Sequence, residues 1–295
     1  MESTALELRS HRTLRDLIAL TKPRITLMVV ITAAGGAYLS PARLDPFTMA
    51  ILLVTMSMIV GGANALNCYL ERDSDRFMTR TASRPLPSGR LAAGWGLVVG
   101  LGLGLSSLPI LAYFVNGLTA VLGAVALVSY VAIYTPMKQA SPTALLVGAV
   151  PGALPPLMGW TGATGSLDAP GFVLFGILFL WQIPHFLAIS VFRQEEYERA
   201  GLKVLPSVKG VEAAKSQAVF YGALLLPVSI LLFPLRVAGP VYVIAAFGLG
   251  AYFVGSILRG IRSDDANVWA RRVFVASLIY LTLLFAAIGV DAFIG

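Results

Sequence analysis

The sequence predicts an all-α, polytopic membrane protein of about nine transmembrane helices, and three observations predict it. Apolar residues fill 57% of the 295 positions and charged residues only 13%, against roughly a quarter charged in soluble domains. Mean hydropathy is +0.80. The apolar residues also collect in uncharged runs close to the length of about 20 residues that a helix needs to cross a bilayer. A soluble fold has no means of hiding this much apolar surface. The simplest organisation is one membrane domain over 24–295 behind an amino-terminal arm, 1–23.

The arm carries Glu2, Glu7, Arg9, Arg12, Arg15 and Asp16 with no apolar run before Leu17. It therefore lacks a secretory core and reads as a retained cytoplasmic segment. Its mixture of signs differs from an acid-poor transit peptide, which favours a bacterial inner (plasma) membrane. Candidate spans follow at 24–42 and 46–69. A polar, proline-punctuated loop near 71–91 cannot span and is expected to fold over the preceding helix end as a cap. Four further spans are predicted at 92–113, 116–135, 141–160 and 171–192. A second polar stretch, 193–213, precedes the last three, at 214–235, 239–258 and 272–293. An odd number of spans sends the termini to opposite sides. All the basic residues except Arg43 and Arg236 then fall on the amino-terminal side, which the positive-inside rule makes cytoplasmic. The net charge of +7 is thereby explained by cytoplasmic loops facing anionic lipid of the bilayer, and nothing calls for nucleic acid. The single cysteine, Cys68, excludes an internal disulfide and cysteine metal sites. Gly96, Gly100 and Gly104 have the small-xxx-small spacing of helix contacts.

The second span ends in Asn67-Cys68-Tyr69-Leu70-Glu71-Arg72-Asp73-Ser74-Asp75. Spacing of four places Asn67, Glu71 and Asp75 on one helix face, whereas Asp73 lies about 200° round from Glu71. Two carboxylates at a helix C-terminus oppose the macrodipole and each other, so positive charge is expected beside them. Arg72, Arg76 and Arg80 are local candidates. A hard divalent cation such as Mg²⁺, which takes oxygen ligands and bridges carboxylates to phosphates, is the functional one. The loop arginines, Arg80 and Arg84 among them, suit bidentate contacts with phosphate oxygens.

A comparable helix end follows the sixth span. Trp181-Gln182-Ile183-Pro184-His185-Phe186 leads to Arg193-Gln194-Glu195-Glu196-Tyr197-Glu198-Arg199 and then to Lys203. Leu86-Pro87-Ser88 is echoed by Leu205-Pro206-Ser207, each triplet after an acidic, arginine-bearing helix end. The echo suggests pseudo-repeated units of four helices, with both acidic ends on one side. A lone His185 in an apolar span is more often a packing residue than a ligand, although ionisable groups at depth raise the functional reading. Lys138, in Tyr134-Thr135-Pro136-Met137-Lys138, is the sole cation of a short loop and a candidate phosphate contact.

Taken together, Asn67-x-x-x-Glu71-x-x-x-Asp75, the Arg-Pro-Leu-Pro-Ser-Gly loop and the second acidic end resemble the UbiA superfamily of intramembrane prenyltransferases. Within it the chain is most similar to the branch that farnesylates haem. Thr21-Lys22-Pro23-Arg24, Tyr134-Thr135 with Lys138, Gly152-Ala153-Leu154-Pro155-Pro156, Trp181-Gln182-Ile183-Pro184-His185-Phe186 and Val204-Leu205-Pro206 carry that resemblance. Two departures stand out. Glu71 replaces the usual Asp, keeping charge and oxygen donors, and Gln139 follows Lys138 where a second cation is common.

The resemblance implies haem b and farnesyl diphosphate as substrates, with haem-modifying or oxidase-assembly factors as candidate protein partners. It implies Mg²⁺ held by Asn67, Glu71 and Asp75, with another ion near Glu195 and Glu196. Arg80, Arg84, Lys138, Arg193 and Lys203 are the implied diphosphate contacts, with Tyr134, Trp181 and Tyr197 completing the substrate site. His185 is open among orienting haem, ligating its iron and positioning water. Three rivals remain: a relative acting on a quinone precursor or chlorophyll-type acceptor; a secondary transporter, whose sites tend to lie at the bilayer midplane rather than at helix ends; and a non-catalytic assembly or haem-handling factor, for which the two acidic ends have no evident use.

Overall fold

The computed structural model describes residues 13–261 and 265–294, which are helices joined by turns. Arg9, Arg12 and Arg262, all basic residues of the amino-terminal side, lie outside the described residues. Helix α1 (Thr13–Leu20) meets α2 (Pro23–Leu39) at a 44° bend. The second half of the expected arm is therefore a helix, and Leu20 at its end is buried. Lys22 forms the joint in the left-handed region, at φ +48°, and Pro23 opens α2, where its missing N–H costs nothing.

Helix α3 (Pro46–Leu70) starts at Asp45, whose carboxylate accepts the N–H groups of Phe47 and Thr48. Next come α4 (Gly94–Phe114) and α5 (Gly117–Val128). A π-helical turn, Ser129–Tyr134, joins α5 to α6 (Thr135–Ala140), so that one span runs over Gly117–Ala140. Helices α7 (Ala144–Thr164), α8 (Ala169–Phe192), the short α9 (Gln194–Arg199) and α10 (Leu205–Lys209), α11 (Val211–Ile230), α12 (Pro240–Leu258) and α13 (Ala266–Ile294) complete the chain. Among the described residues eight helices are long and apolar enough to span, and α1 with α2 as one bent span makes nine. Most spans match those expected from hydropathy to within a few residues. The largest difference is that the first span, counted as the bent pair, begins at Thr13; next, α13 begins at 266, the fourth span reaches 140 and α11 ends at Ile230.

Two apolar cores share α7. One joins Ala33, Met56, Ala120 and Met158 from α2, α3, α5 and α7. The larger joins Ala153, Leu187, Ala218, Phe253 and Tyr280 from α7, α8, α11, α12 and α13. The glycine stripe of α4 is a packing seam within the chain: a Cβ on Gly62 of α3 would lie 2.7 Å from the backbone nitrogen of Gly104. Alternation of the spans brings the ends of α3, α6, α8 and α12 and the starts of α4, α7, α11 and α13 to one face, which holds most of the basic residues. Arg43 and Arg236 lie on the opposite face.

Candidate active site at the basic face

The site begins where α3 runs out. The helix ends at Leu70, and Asp75 sits in a separate 3₁₀ turn, Ser74–Phe77. The three residues spaced by four are thus not on one continuous helix, as spacing alone implied. Their backbones nevertheless keep the helical ladder, with Glu71 N–H donating to Asn67 O at 2.9 Å and Asp75 N–H to Glu71 O at 2.8 Å. Asp73 points away as expected: its side chain is 69% exposed and meets Arg72 at 3.5 Å.

Each member of the trio is gripped by a cation or hydroxyl from elsewhere. Lys22 Nζ donates to Asn67 Oδ1 at 2.8 Å, and Asn67 Nδ2 donates to Thr135 Oγ1 at 3.2 Å. Lys138 Nζ pairs with Glu71 Oε1 at 2.7 Å, and Arg84 Nη1 with Asp75 Oδ2 at 2.7 Å. Asp75 is fully buried, and its other oxygen, Oδ1, has no partner. A buried carboxylate oxygen without a donor is costly. An amide and two carboxylates with a vacant lone-pair site form an oxygen donor set of the kind Mg²⁺ takes, so the residues fit that ion.

The loop over the helix end folds as the expected cap. Pro85, Leu86, Pro87 and Leu91 are buried, and Thr81 Oγ1 donates to Asp75 O at 2.8 Å. Arg90 clasps Asp16 of α1 through Nε and Nη2 at 3.1 Å each, tying the amino-terminal helix to the cap. Arg80 is exposed at the rim.

Lys138 is aimed by aromatic packing. Its ammonium lies 4.4 Å from the Tyr134 ring centroid, and Tyr134 has room only because residue 148 is glycine, where a Cβ would fall against the ring. The π-turn that carries Tyr134 also lets Thr135 donate to Tyr130 O at 2.8 Å while accepting from Asn67. Such wide turns recur at functional sites.

The second acidic end is built differently. Arg193, the residue before α9, pairs with Glu196 at 2.8 Å, Gln194 with Glu198 at 2.9 Å, and Glu195 is exposed. Among the described residues no three acidic, histidine or cysteine side chains converge as a metal cluster. The two ends do meet. Lys203 N–H donates to Lys138 O at 2.9 Å, while the Lys203 side chain is exposed. Burial holds the Tyr197 phenol above its ordinary value, with Arg80 the strongest of the opposing charges and Lys138 and Arg193 also near. Trp181 and His185 turn instead to α13: Trp181 Nε1 donates to Ser277 O at 2.7 Å, His185 Nδ1 lies 2.7 Å from Ser277 Oγ, and the imidazole stacks between Trp181 and Phe274. Lys22, Thr135, Ser277 and Gly148 are site residues that spacing did not single out.

The sequence pattern of the UbiA prenyltransferase family matches residues 28–279. The chain belongs to this family. It is 51% identical over 276 residues to the protoheme IX farnesyltransferase of Myxococcus xanthus (strain DK1622), an alignment covering 94% of each protein. Among solved structures it resembles a digeranylgeranylglyceryl phosphate synthase, with TM-score 0.82 at 18% identity over 95% of this chain and 99% of that one. It also resembles a UbiA homologue from Archaeoglobus fulgidus bound to GPP and Mg²⁺, with TM-score 0.69 at 17% identity over 93% and 99%. These likenesses establish the UbiA fold.

Proposed function

We infer that this chain transfers the farnesyl group of farnesyl diphosphate to a vinyl group of protohaem IX (haem b), with addition of water, giving haem O and diphosphate. The observation that carries the reading is the trio of buried Asn67 and Asp75 with half-buried Glu71, onto which Lys22, Lys138 and Arg84 are drawn. Near-complete alignment with the Myxococcus enzyme at 51% identity supports the acceptor and the donor.

Asn67, Glu71 and Asp75 are the residues that would hold Mg²⁺, and the Archaeoglobus homologue with GPP and Mg²⁺ supports a divalent ion. When bound, the ion neutralises the diphosphate and makes it a better leaving group. The chain's own cations do the complementary work. Lys138 and Arg84 turn from Glu71 and Asp75 toward phosphate oxygens, Lys22 joins them from the joint of α1 and α2, and Arg80 and Lys203 attract the anion from the rim. As the allylic C–O bond breaks, its electron pair leaves on the diphosphate, where these cations already point. The vinyl π pair then bonds to farnesyl C1. Water captures the cation left beside the macrocycle and loses a proton, giving the hydroxyethylfarnesyl group. The apolar helices below the trio exclude other water from the allylic cation. The basic face, by its charge, is cytoplasmic and the membrane a bacterial inner membrane.

Competing acceptors test the reading. Purified protein given farnesyl diphosphate and Mg²⁺ with haem b and an aromatic quinone precursor together should prenylate haem alone; prenylation of the quinone precursor alone would refute the acceptor.

A further inference from the structure

Gln182 of α8 is buried yet keeps one open atom. Its Nε2 donates to two carbonyls at 3.0 Å each, Ala149 O of α7 and Leu178 O one turn back on its own helix. Both neighbours are acceptors, so the nitrogen faces them and Oε1 faces the other way. Oε1 accepts no hydrogen bond among the described residues. Nor is it one of the fully enclosed atoms without a partner, which there are Asp75 Oδ1, Trp160 Nε1 and Ser207 Oγ. It therefore fronts open space.

That space lies inside the bundle, below the trio. Deeper in the membrane the backbones of α2 and α7 touch: a Cβ on Gly36 would fall against Pro156 O, and one on Gly159 against Ala33 O. Gly152 precedes Pro156 by four residues and Gly159 by seven, which puts it on the same face of α7. It is nevertheless the one exposed residue of that helix. At this level α2 has left α7 on its way up to Lys22 and Asn67, and Gln182 Oε1 forms the wall of the gap, since a Cβ on Gly152 would strike it. Gly148, one turn nearer the basic face, carries the Tyr134 ring that aims Lys138. Oε1 thus sits about 6 Å below that ring along the helix.

A second acceptor lies beside it. Residue 156 is proline and has no N–H, so the carbonyl of Gly152 lacks its helical donor. Acceptors at an apolar depth call for donors, and two at one place suit a molecule with two O–H bonds and lone pairs to spare. The reaction consumes one such molecule. We propose that Gln182 Oε1 and Gly152 O hold the water that captures the cation, each accepting one of its O–H bonds so that an oxygen lone pair faces the vinyl group. This rests on the farnesyl-transfer reading above. The terminal vinyl carbon bonds to farnesyl C1, so the positive charge falls on the next carbon, two bonds from C1 and beneath the diphosphate, at the level of Gln182. The water oxygen bonds to that carbon, and the oxonium so formed gives one proton to the released diphosphate. Both acceptors also turn the negative end of a dipole toward the cation. His185, three residues on, is closed off: Trp181 and Phe274 cover its ring and its Nδ1 meets Ser277 Oγ.

Product composition tests the water seat, because a cation with no water held beside it loses a proton from the neighbouring CH₂ and becomes an alkene. Purified protein is given haem b, farnesyl diphosphate and Mg²⁺, and mass separates haem O from a farnesylated haem lighter by one water. Wild type should give haem O. In Q182L the ratio of hydrated to dehydrated product should fall by about tenfold to a hundredfold, as for a misplaced reactant, with KM for farnesyl diphosphate unchanged. G152A, whose methyl group displaces Oε1 without altering residue 182, should shift the ratio the same way. Q182E, which keeps an oxygen there, should recover part of it. Should Q182L fail to insert, G152A and Q182E decide by the same ratio. Slower turnover in these variants with the ratio unchanged marks Gln182 as packing and overturns the seat, as does a raised KM for haem b with the ratio unchanged. Wild type that prenylates no haem refutes the farnesyl-transfer reading itself.

Discussion

The two acidic helix ends look alike in sequence and differ in construction. At the end of α3 the partners are distant in the chain: Lys138 reaches Glu71 across 67 positions and Lys22 reaches Asn67 across 45. At the end of α8 the pairs are local, Arg193 with Glu196 and Gln194 with Glu198, and Glu195 is solvated. Local pairs on a surface helix are worth only a few tenths of a kcal/mol. Distant cations gathered onto buried carboxylates are held there by the fold and can be exchanged for a phosphate without rebuilding the backbone. The reaction proposed above is therefore assigned to the first end. The second touches it through the backbone N–H of Lys203, which donates to the carbonyl of Lys138.

Alanine substitutions break this comparison most sharply. E71A and D75A should each lower turnover of the folded, membrane-inserted protein by at least about 10²-fold, whereas E195A should stay within about twofold, as for an exposed side chain; equal losses at both ends would erase the distinction. K138M comes next. It leaves Glu71 short of its cation, a change that costs about 3–5 kcal/mol in a fully buried pair and less here because Lys138 is partly exposed. Its melting temperature should fall and its KM for farnesyl diphosphate rise about tenfold, while R199A changes neither. G148A should be milder, at about 1–3 kcal/mol for crowding the Tyr134 ring. It should also raise the diphosphate KM through the displaced Lys138, a split that a purely structural role for Gly148 would not produce. Smallest of all is Y197F. Because the Tyr197 phenol titrates above its ordinary value of about 10, it stays neutral at working pH. The pH profiles of Y197F and wild type should coincide between about pH 6 and 9.

Much of this architecture is legible in the amino-acid sequence alone. The spans follow from hydropathy, because lipid requires every buried backbone group to be satisfied within a helix. The four-residue spacing finds Asn67, Glu71 and Asp75, and the paired Leu-Pro-Ser triplets do mark matching anchors: Leu86 with Pro87 and Leu205 with Pro206 are buried beneath their loops. Lys22 is not legible as a site residue, since its reach to Asn67 depends on a left-handed joint between α1 and α2. Nor is Thr135, which faces Asn67 only because the preceding turn is π-helical. For His185 the sequence leaves several roles open, and its stack against α13 through Ser277 depends on which helices become neighbours in the bundle. In each case the missing information is tertiary.

The most direct measurement of the central claim is a turnover assay on purified protein with haem b, farnesyl diphosphate and Mg²⁺, the haem product read by mass and the assay repeated with a chelator. The account predicts a haem mass gain of one farnesyl group plus water, abolished by chelation and by D75A. A product that forms equally well with chelator present, or with Asp75 removed, would contradict it.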